Sequence, residues 1–226
     1  MPGGWTMSMM WMRMPGQSQA AAAVMFLWMW LAMMIAMMLP SVWPMLELYR
    51  RTAKFADPSP VGGIMTVVGA GYFAAWLGFG AVAGAAGFAM AGAAMHSPQL
   101  SQMIPYLQSA GLILAGGFQL TALKQSCLRH CQSPLLMLGK MYRPGYRAAW
   151  TFGIHHGVFC VACCWALMVM QMVVGTMNPW LMLAVAIAIA AEKLWRHGSV
   201  LARYIGGLSI LTGAILIAAA VFTERR

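Results

Sequence analysis

The chain has 226 residues, of which 62% are hydrophobic and only 8% are charged, and its formal net charge is +10. Roughly a quarter of the residues of a soluble domain are charged, so this composition excludes an ordinary water-soluble globule. The apolar residues come in blocks of about twenty, the length that a helix needs to cross a bilayer, and the alternating strands of an outer-membrane barrel are absent. We predict an all-α, polytopic transmembrane helical bundle of about six spans, with no nucleic-acid partner.

A methionine-rich segment precedes the first apolar block. Five of the 24 methionines fall close together there: Met7, Met9, Met10, Met12 and Met14. A thioether is a soft, uncharged ligand for Cu(I), whereas leucine would give as much hydrophobicity without that property. We predict that residues 1–19 face the outer side of the membrane and capture Cu(I). An adaptable hydrophobic interface is the alternative.

The first predicted span covers residues 20–46, and its methionines recur at one-turn steps. Such steps place side chains on one face of a helix, and the face consists of Met25, Met29, Met33 and Met37. We predict that Met29, Met33 and Met37 are ligands in a ladder that passes a soft ion along. Methionines that pack against neighbours or lipid are the alternative.

The second predicted span, residues 62–94, is crowded with small residues. Small residues let helix backbones approach closely in lipid, so we expect its glycines to lie against other helices: Gly69, Gly71, Gly78, Gly80, Gly84, Gly87 and Gly92. The connections are too short for a soluble domain, and we treat residues 20–226 as a single transmembrane helical domain.

The third predicted span, residues 104–124, leads into a short cytoplasmic Cys/His motif. Cys127, His130 and Cys131 of this motif are candidate metal ligands. Thiols on the cytosolic side are kept reduced, which argues against structural disulfides. Zinc is an alternative metal, but a closed zinc site groups four ligands compactly. The candidate ligands here are spread along helices and lie beside thioethers, and this favours Cu(I).

The fourth predicted span, residues 150–175, contains the strongest cluster of candidate ligands. These are His155, His156, Cys160, Cys163, Cys164 and Met168. His156, Cys160, Cys164, Met168 and Met172 recur every four residues and therefore share a helix face. Polar and ionisable groups within a span are functional by default, because their burial in lipid is costly. We predict that this span binds metal.

The fifth and sixth predicted spans cover residues 179–195 and 201–222. Glu192 and Lys193 stand at the inner end of the fifth span. We interpret them as a pair at the membrane interface. The alternative is a carboxylate that orients a metal-binding histidine.

The basic residues predict the orientation of the chain. Eleven of the 14 lie on one side of the predicted spans: Arg50, Arg51, Lys54, Lys124, Arg129, Lys140, Arg143, Arg147, Lys193, Arg196 and Arg203. The positive-inside rule makes this side cytoplasmic. Both termini are therefore expected on the periplasmic side.

Several sequence blocks resemble one bacterial family, that of predicted metal-binding integral membrane proteins of unknown function. The blocks are residues 33–45 (MMIAMMLPSVWPM), 72–79 (YFAAWLGF), 119–131 (QLTALKQSCLRHC), 156–168 (HGVFCVACCWALM) and 192–193 (EK). The resemblance covers nearly the whole chain and implies a helical fold, the bacterial inner membrane and metal binding. Members of that family often begin with an additional hydrophobic span, which here would lie upstream of these residues.

The leading functional hypothesis is capture of Cu(I) and its transfer or transport across the inner membrane. Outer methionines would bind the ion, the faces of spans one and four would pass it on, and the cytoplasmic Cys/His groups would receive it. Soft ligands at both ends are equally compatible with export or storage. With four acidic residues and no nucleotide-binding motif, we expect no catalytic site.

Three other functions remain open. One is a copper-delivery subunit that matures a membrane cuproenzyme, with that enzyme or a copper chaperone as partner and a homo-oligomer as a further option. Another is a membrane thiol oxidoreductase or haem protein, because Cys160 and Cys163 have redox-motif spacing and His155 or His156 could be an axial haem ligand. The third is a methionine-rich scaffold that binds no metal.

Overall fold

The computed structural model describes residues 18–56, 60–174 and 178–224, and these residues form helices joined by short connections. The helices in chain order are α1 (Gln19–Ala56), α2 (Val61–His96), α3 (Pro98–Leu120), α4 (Ala122–Gln132), α5 (Pro134–Met141), α6 (Tyr146–Val174), α7 (Pro179–Leu194) and α8 (Gly198–Glu224). The predicted all-α fold is confirmed, and within these ranges there is no strand. The predicted capture segment, with Met7, Met9, Met10, Met12 and Met14, lies outside the described residues.

Four of these helices are long and apolar enough to cross a membrane: α1, α2, α6 and α8. They correspond to the first, second, fourth and sixth predicted spans. α3 and α7, which correspond to the third and fifth, are not among the four. α7 has 16 residues, which makes it about 24 Å long, whereas a hydrocarbon core is about 30 Å thick. Six spans therefore remain a prediction.

The predicted third span is interrupted near its inner end. α3 ends at Leu120, and Thr121 has extended backbone angles (φ −71°, ψ 153°). The Thr121 hydroxyl accepts a hydrogen bond from the backbone N–H of Lys124 at 3.3 Å and so caps α4. This break starts a separate short helix, which carries the Cys/His motif across the bundle.

Glycines bring α2 and α6 into close backbone contact. A Cβ atom on Gly71 would lie 2.6 Å from the carbonyl oxygen of Trp150 in α6. On the α6 side, Gly153 lies against the backbone of Val68 and Tyr72. Of the predicted contact glycines, Gly71, Gly80 and Gly84 do meet a neighbouring helix, whereas Gly69, Gly78 and Gly92 have open space beside them. Glycines also bring α3 and α8 into close contact, at Gly116, Gly206 and Gly213.

α1 packs against α2 on one side and contributes a methionine-rich face to the core. The indole Nε1 of Trp30 donates a hydrogen bond to the carbonyl oxygen of Trp76 at 3.0 Å, and both side chains are fully buried. Five methionines of α1 are buried in the same core: Met33, Met34, Met37, Met38 and Met45. We call the end of the bundle formed by the C-terminal part of α1, the first turns of α2 and α6, and helices α4 and α5 the basic end.

Candidate metal centre

Four cysteines from two helices come together where α4 meets the middle of α6. Cys160, Cys163 and Cys164 of α6 are fully buried, and Cys131 of α4 is half-buried. The sulfur of Cys163 lies 3.7 Å from that of Cys131 and 3.3 Å from that of Cys164. We call Cys131, Cys160, Cys163 and Cys164 the thiol cluster. Within the described chain, no sulfur contact joins Cys127 to it.

A lysine and a tyrosine hold the sulfur of Cys160 at one side of this cluster. The Lys193 ammonium donates to Cys160 Sγ at 2.7 Å and to the hydroxyl of Ser41 at 3.4 Å. The hydroxyl of Tyr72 lies 2.9 Å from the same sulfur. All of these side chains are buried. An ammonium group has donors and no acceptor, so the sulfur accepts this hydrogen bond.

A second buried lysine forms an ion pair on the other side of the cluster. The Lys124 ammonium lies 2.6 Å from a carboxylate oxygen of Glu192 and donates to the carbonyl oxygen of Cys163 at 2.5 Å. Gln119 donates to the other carboxylate oxygen at 3.1 Å. Lys124 is 0% exposed and Glu192 is 1% exposed. The interpretation of Glu192 and Lys193 as a pair at the membrane interface is therefore wrong: both are buried, and their side chains have different partners.

Histidines of α4 and α6 form a separate cluster nearer the basic end. The ring centroids of His130 and His155 are 5.6 Å apart, and Phe159 stacks on His130 with its centroid 4.0 Å away. Burial lowers the pKa of His130, and the positive charges of His155 and Lys140 lower it further. A lowered pKa keeps the imidazole neutral at neutral pH, which is the form that binds metals.

His156 faces the bundle interior, away from this pair. It is 3% exposed, and its Nδ1 lies 3.4 Å from the thioether sulfur of Met137 in α5. Met137 and His130 also line an open cavity of about 300 Å³ at the basic end, together with Ser126, Arg129, Ser133, Leu136 and Lys140. α5 therefore supplies a soft ligand type next to the histidines.

The methionine faces of α1 and α6 meet through one polar side chain. The amide of Gln171 in α6 donates to the thioether sulfur of Met33 in α1 at 3.8 Å, and both residues are buried. Met168 lies in the same core as Met33 and Met37. Of the other predicted ladder positions, Met29 packs at the edge of this core and Met25 is 59% exposed. The interior part of the predicted ladder thus lies next to α6.

The predicted ligands therefore do not form one continuous set. The buried thiols and the interior methionines share one core, Cys127 packs at its edge, and the histidine pair forms a separate cluster. No sequence motif marks Lys124, Tyr72, Met137 or Gln171 as part of a site. The long sequence separations of their contacts explain this: Tyr72 and Cys160, for example, are 88 positions apart.

The chemistry of these groups suits an ion that accepts few ligands. No three His, Cys, Asp or Glu side chains within residues 18–56, 60–174 and 178–224 form a group that could hold a metal ion. A closed zinc site needs about four ligands, and the described residues do not provide such a set. Thiols and thioethers are soft ligands of the kind that select copper, and imidazole also suits copper.

Comparison with known proteins gives one family. Residues 27–216, well over half of the chain, match the model of the PpoB2 family, which is described as a copper chaperone. The matched segment contains the thiol cluster, the histidine pair and the interior methionines. No match was found among curated proteins or among solved structures. The chain belongs to the PpoB2 copper chaperone family.

Proposed function

We propose that this protein is a membrane-embedded copper chaperone that binds Cu(I) at the thiol cluster and hands it on. The observation that carries the proposal is the convergence of Cys131, Cys163 and Cys164, whose sulfurs lie 3.7 Å and 3.3 Å apart in successive pairs. A pair of thiolates suffices for Cu(I), whereas zinc would require a larger set.

The charges around the cluster support a bound monovalent ion. Two thiolates with one Cu(I) carry one net negative charge, which is costly to bury unless it is compensated. Lys193 and Lys124 supply two positive charges, of which the carboxylate of Glu192 neutralises one. The buried groups therefore balance a bis-thiolate Cu(I) site, whereas a divalent ion would leave an unpaired positive charge.

The interior methionines support a route toward the thiols. Met33, Met37 and Met168 lie in one core with the buried cysteines, so thioether ligands continue from the thiol cluster into the bundle. Thioethers bind Cu(I) without competing protons, and this suits an intermediate position on a transfer path. We propose that Met33, Met37 and Met168 line this path, with the outer methionines at its far end.

We propose the bacterial inner membrane as the location, with the basic end in the cytoplasm. α1, α2, α6 and α8 are long and apolar enough to cross a membrane, and the positive-inside rule orients the basic end. On this orientation, the methionine-rich segment faces the periplasm. The proposed partner is a copper-requiring protein that receives the ion.

The test compares the detergent-purified protein with a variant that lacks three thiols. The variant carries Cys131→Ser, Cys163→Ser and Cys164→Ser, and Cys127→Ser is the matched control because no sulfur contact in the described chain joins Cys127 to the cluster. Each protein is loaded with Cu(I) without oxygen, washed with a Cu(I) chelator that strips weaker sites, and measured by elemental mass spectrometry. We expect about one chelator-resistant copper ion per chain in the wild type and the control, since a thiolate pair suffices, and none in the triple variant.

The outcome that contradicts the proposal is equal chelator-resistant copper in the triple variant and the wild type, or none in either. X-ray absorption of the loaded wild type supplies a second measurement, because sulfur and nitrogen ligands scatter differently. A parallel loading with Zn²⁺ tests the choice of metal. Stoichiometric zinc that survives a wash with a zinc chelator would contradict the charge argument.

A further inference from the structure

Two imidazole nitrogens near the basic end are buried without a partner. Nε2 of His130 and Nδ1 of His155 accept or donate no hydrogen bond within the described part of the chain. Buried polar groups are nearly always hydrogen-bonded, and an exception calls for an explanation such as a bound ion. Two such nitrogens on neighbouring rings, with centroids 5.6 Å apart, form a candidate site of their own.

We infer that His130 and His155 bind a second Cu(I), separate from the thiol cluster, as the site where copper is exchanged with a partner. The identity of the metal rests on the proposed function. A metal–imidazole bond is about 2 Å long, so a single ion can bond to both rings at a centroid distance of 5.6 Å. Phe159 packs on both rings, with centroid distances of 4.0 Å to His130 and 4.8 Å to His155, and restricts their orientation.

The surroundings of the pair favour a monovalent soft ion. The cavity lined by His130 contains the cations Arg129 and Lys140, and none of its described lining residues carries a carboxylate. Positive neighbours repel a divalent ion more strongly than a monovalent one. Met137 lines the same cavity and offers a thioether, which selects Cu(I) over zinc.

The position of the pair fits an exchange site. The cavity of about 300 Å³ beside His130 is open at the basic end, whereas Cys160, Cys163 and Cys164 are fully buried. The two clusters are joined through α4, where consecutive residues serve different sites. His130 belongs to the imidazole pair, and Cys131 contacts the sulfur of Cys163. One short helix therefore carries a ligand of each candidate site.

The experiment removes each site in turn. Four proteins are loaded with Cu(I) and desalted without the chelator wash: the wild type, the triple thiol variant, a His130→Ala/His155→Ala variant, and a variant that combines all five changes. His96→Ala/His197→Ala is the matched control, because it removes two exposed histidines elsewhere. Copper per chain is measured by elemental mass spectrometry, and the ligand type by X-ray absorption of the triple thiol variant.

We expect the triple thiol variant to retain about one copper ion per chain with nitrogen ligands, since imidazole also binds copper, and the combined variant to lose it. A portion of the loaded His130→Ala/His155→Ala variant is also washed with the Cu(I) chelator, and it should keep its sulfur-bound copper, which also shows that the variant is folded. The inference is overturned if the triple thiol variant holds no nitrogen-bound copper while the wild type holds sulfur-bound copper. The proposed function fails instead if the sulfur-bound copper is missing and the nitrogen-bound copper remains.

Discussion

Lys193 places an ammonium group 2.7 Å from the sulfur of Cys160, and both side chains are buried. The neighbouring residue, Glu192, pairs with Lys124 instead, and its carboxylate oxygen lies 2.6 Å from the Lys124 ammonium. Breaking a buried charge pair by removing one partner costs about 3–5 kcal/mol, because the other charge is left uncompensated. The two lysines thus hold fixed positive charge beside sulfurs that would become negative when they bind copper.

This arrangement predicts the effect of Lys193→Met, which removes the charge and preserves most of the side-chain volume. We expect the affinity of the thiol cluster for Cu(I) to fall by about tenfold or more, equivalent to at least about 1.4 kcal/mol, because a buried thiolate loses its counter-charge. Affinity is measured by competition with a Cu(I) chelator. Lys54→Met, at an exposed position of α1, is the control. Equal affinity in Lys193→Met and Lys54→Met would show that the charge does not act on the metal site.

Single residues also show where prediction from sequence stops. Cys160 and Cys164 share a face because the α-helix repeats, and this face is indeed buried. The charge pattern assigns Lys124 to the cytoplasmic residues that fix topology, but its side chain is buried, because α3 ends at Leu120 and Lys124 belongs to the first turn of α4. Its carboxylate partner lies 68 positions away. No local pattern encodes such a contact.

Among the elements, α2 and α6 approach each other closely at glycines. Gly153 and Gly157 of α6, four positions apart, both lie against the backbone of α2. Small residues at this spacing allow helices to approach closely. Because Tyr72 and Cys160 also belong to these two helices, their 2.9 Å contact depends on the same close approach.

Gly153→Leu should therefore force the two helices apart. We expect a lower midpoint of thermal unfolding in detergent, with a loss of stability of about 1–3 kcal/mol or more, as for other overpacked cores. Gly69→Leu is the matched control in the partner helix, because nothing lies within 4 Å of the Cβ position there. If both variants unfold at the wild-type temperature, α2 and α6 do not pack closely in the detergent-purified protein.

The length of α1 is a second feature that the sequence pattern does not fully predict. Hydropathy predicts an end to the first span at residue 46, but α1 continues to Ala56. The turns of α1 beyond residue 46 are stabilised by contacts that a hydropathy pattern does not predict. Glu47 pairs with Arg50 and Arg51 on the surface, and Tyr49 packs against the ring of Phe152 at a centroid distance of 4.8 Å.

At the scale of the whole molecule, α1 is longer than a bilayer is thick. Its 38 residues give about 57 Å, against about 30 Å for a hydrocarbon core. The helix is therefore longer than a perpendicular span requires, and we propose that the basic residues near Ala56 mark the end that projects from the membrane. On the orientation proposed above from the positive-inside rule, this end is cytoplasmic.

Labelling of introduced cysteines tests this orientation. Phe55→Cys lies at the basic end and Met95→Cys near the opposite end of α2, and the native side chains are 88% and 59% exposed. In a background with Cys127→Ser and Cys131→Ser, a membrane-impermeant maleimide should label Met95→Cys in intact cells and Phe55→Cys only in inverted vesicles. The background protein without either cysteine is the control. The reverse pattern would place the basic end outside.

The shortness of α7 has a consequence for the lipid around the site. α7 has 16 residues, so as the predicted fifth span it would need a bilayer thinned by several ångströms, a case of hydrophobic mismatch. Its last turn carries Glu192 and Lys193, and the turn to α8 follows directly. Such thinning would bring headgroups and water closer to this end of α7, while the side chains of Glu192 and Lys193 stay enclosed by protein.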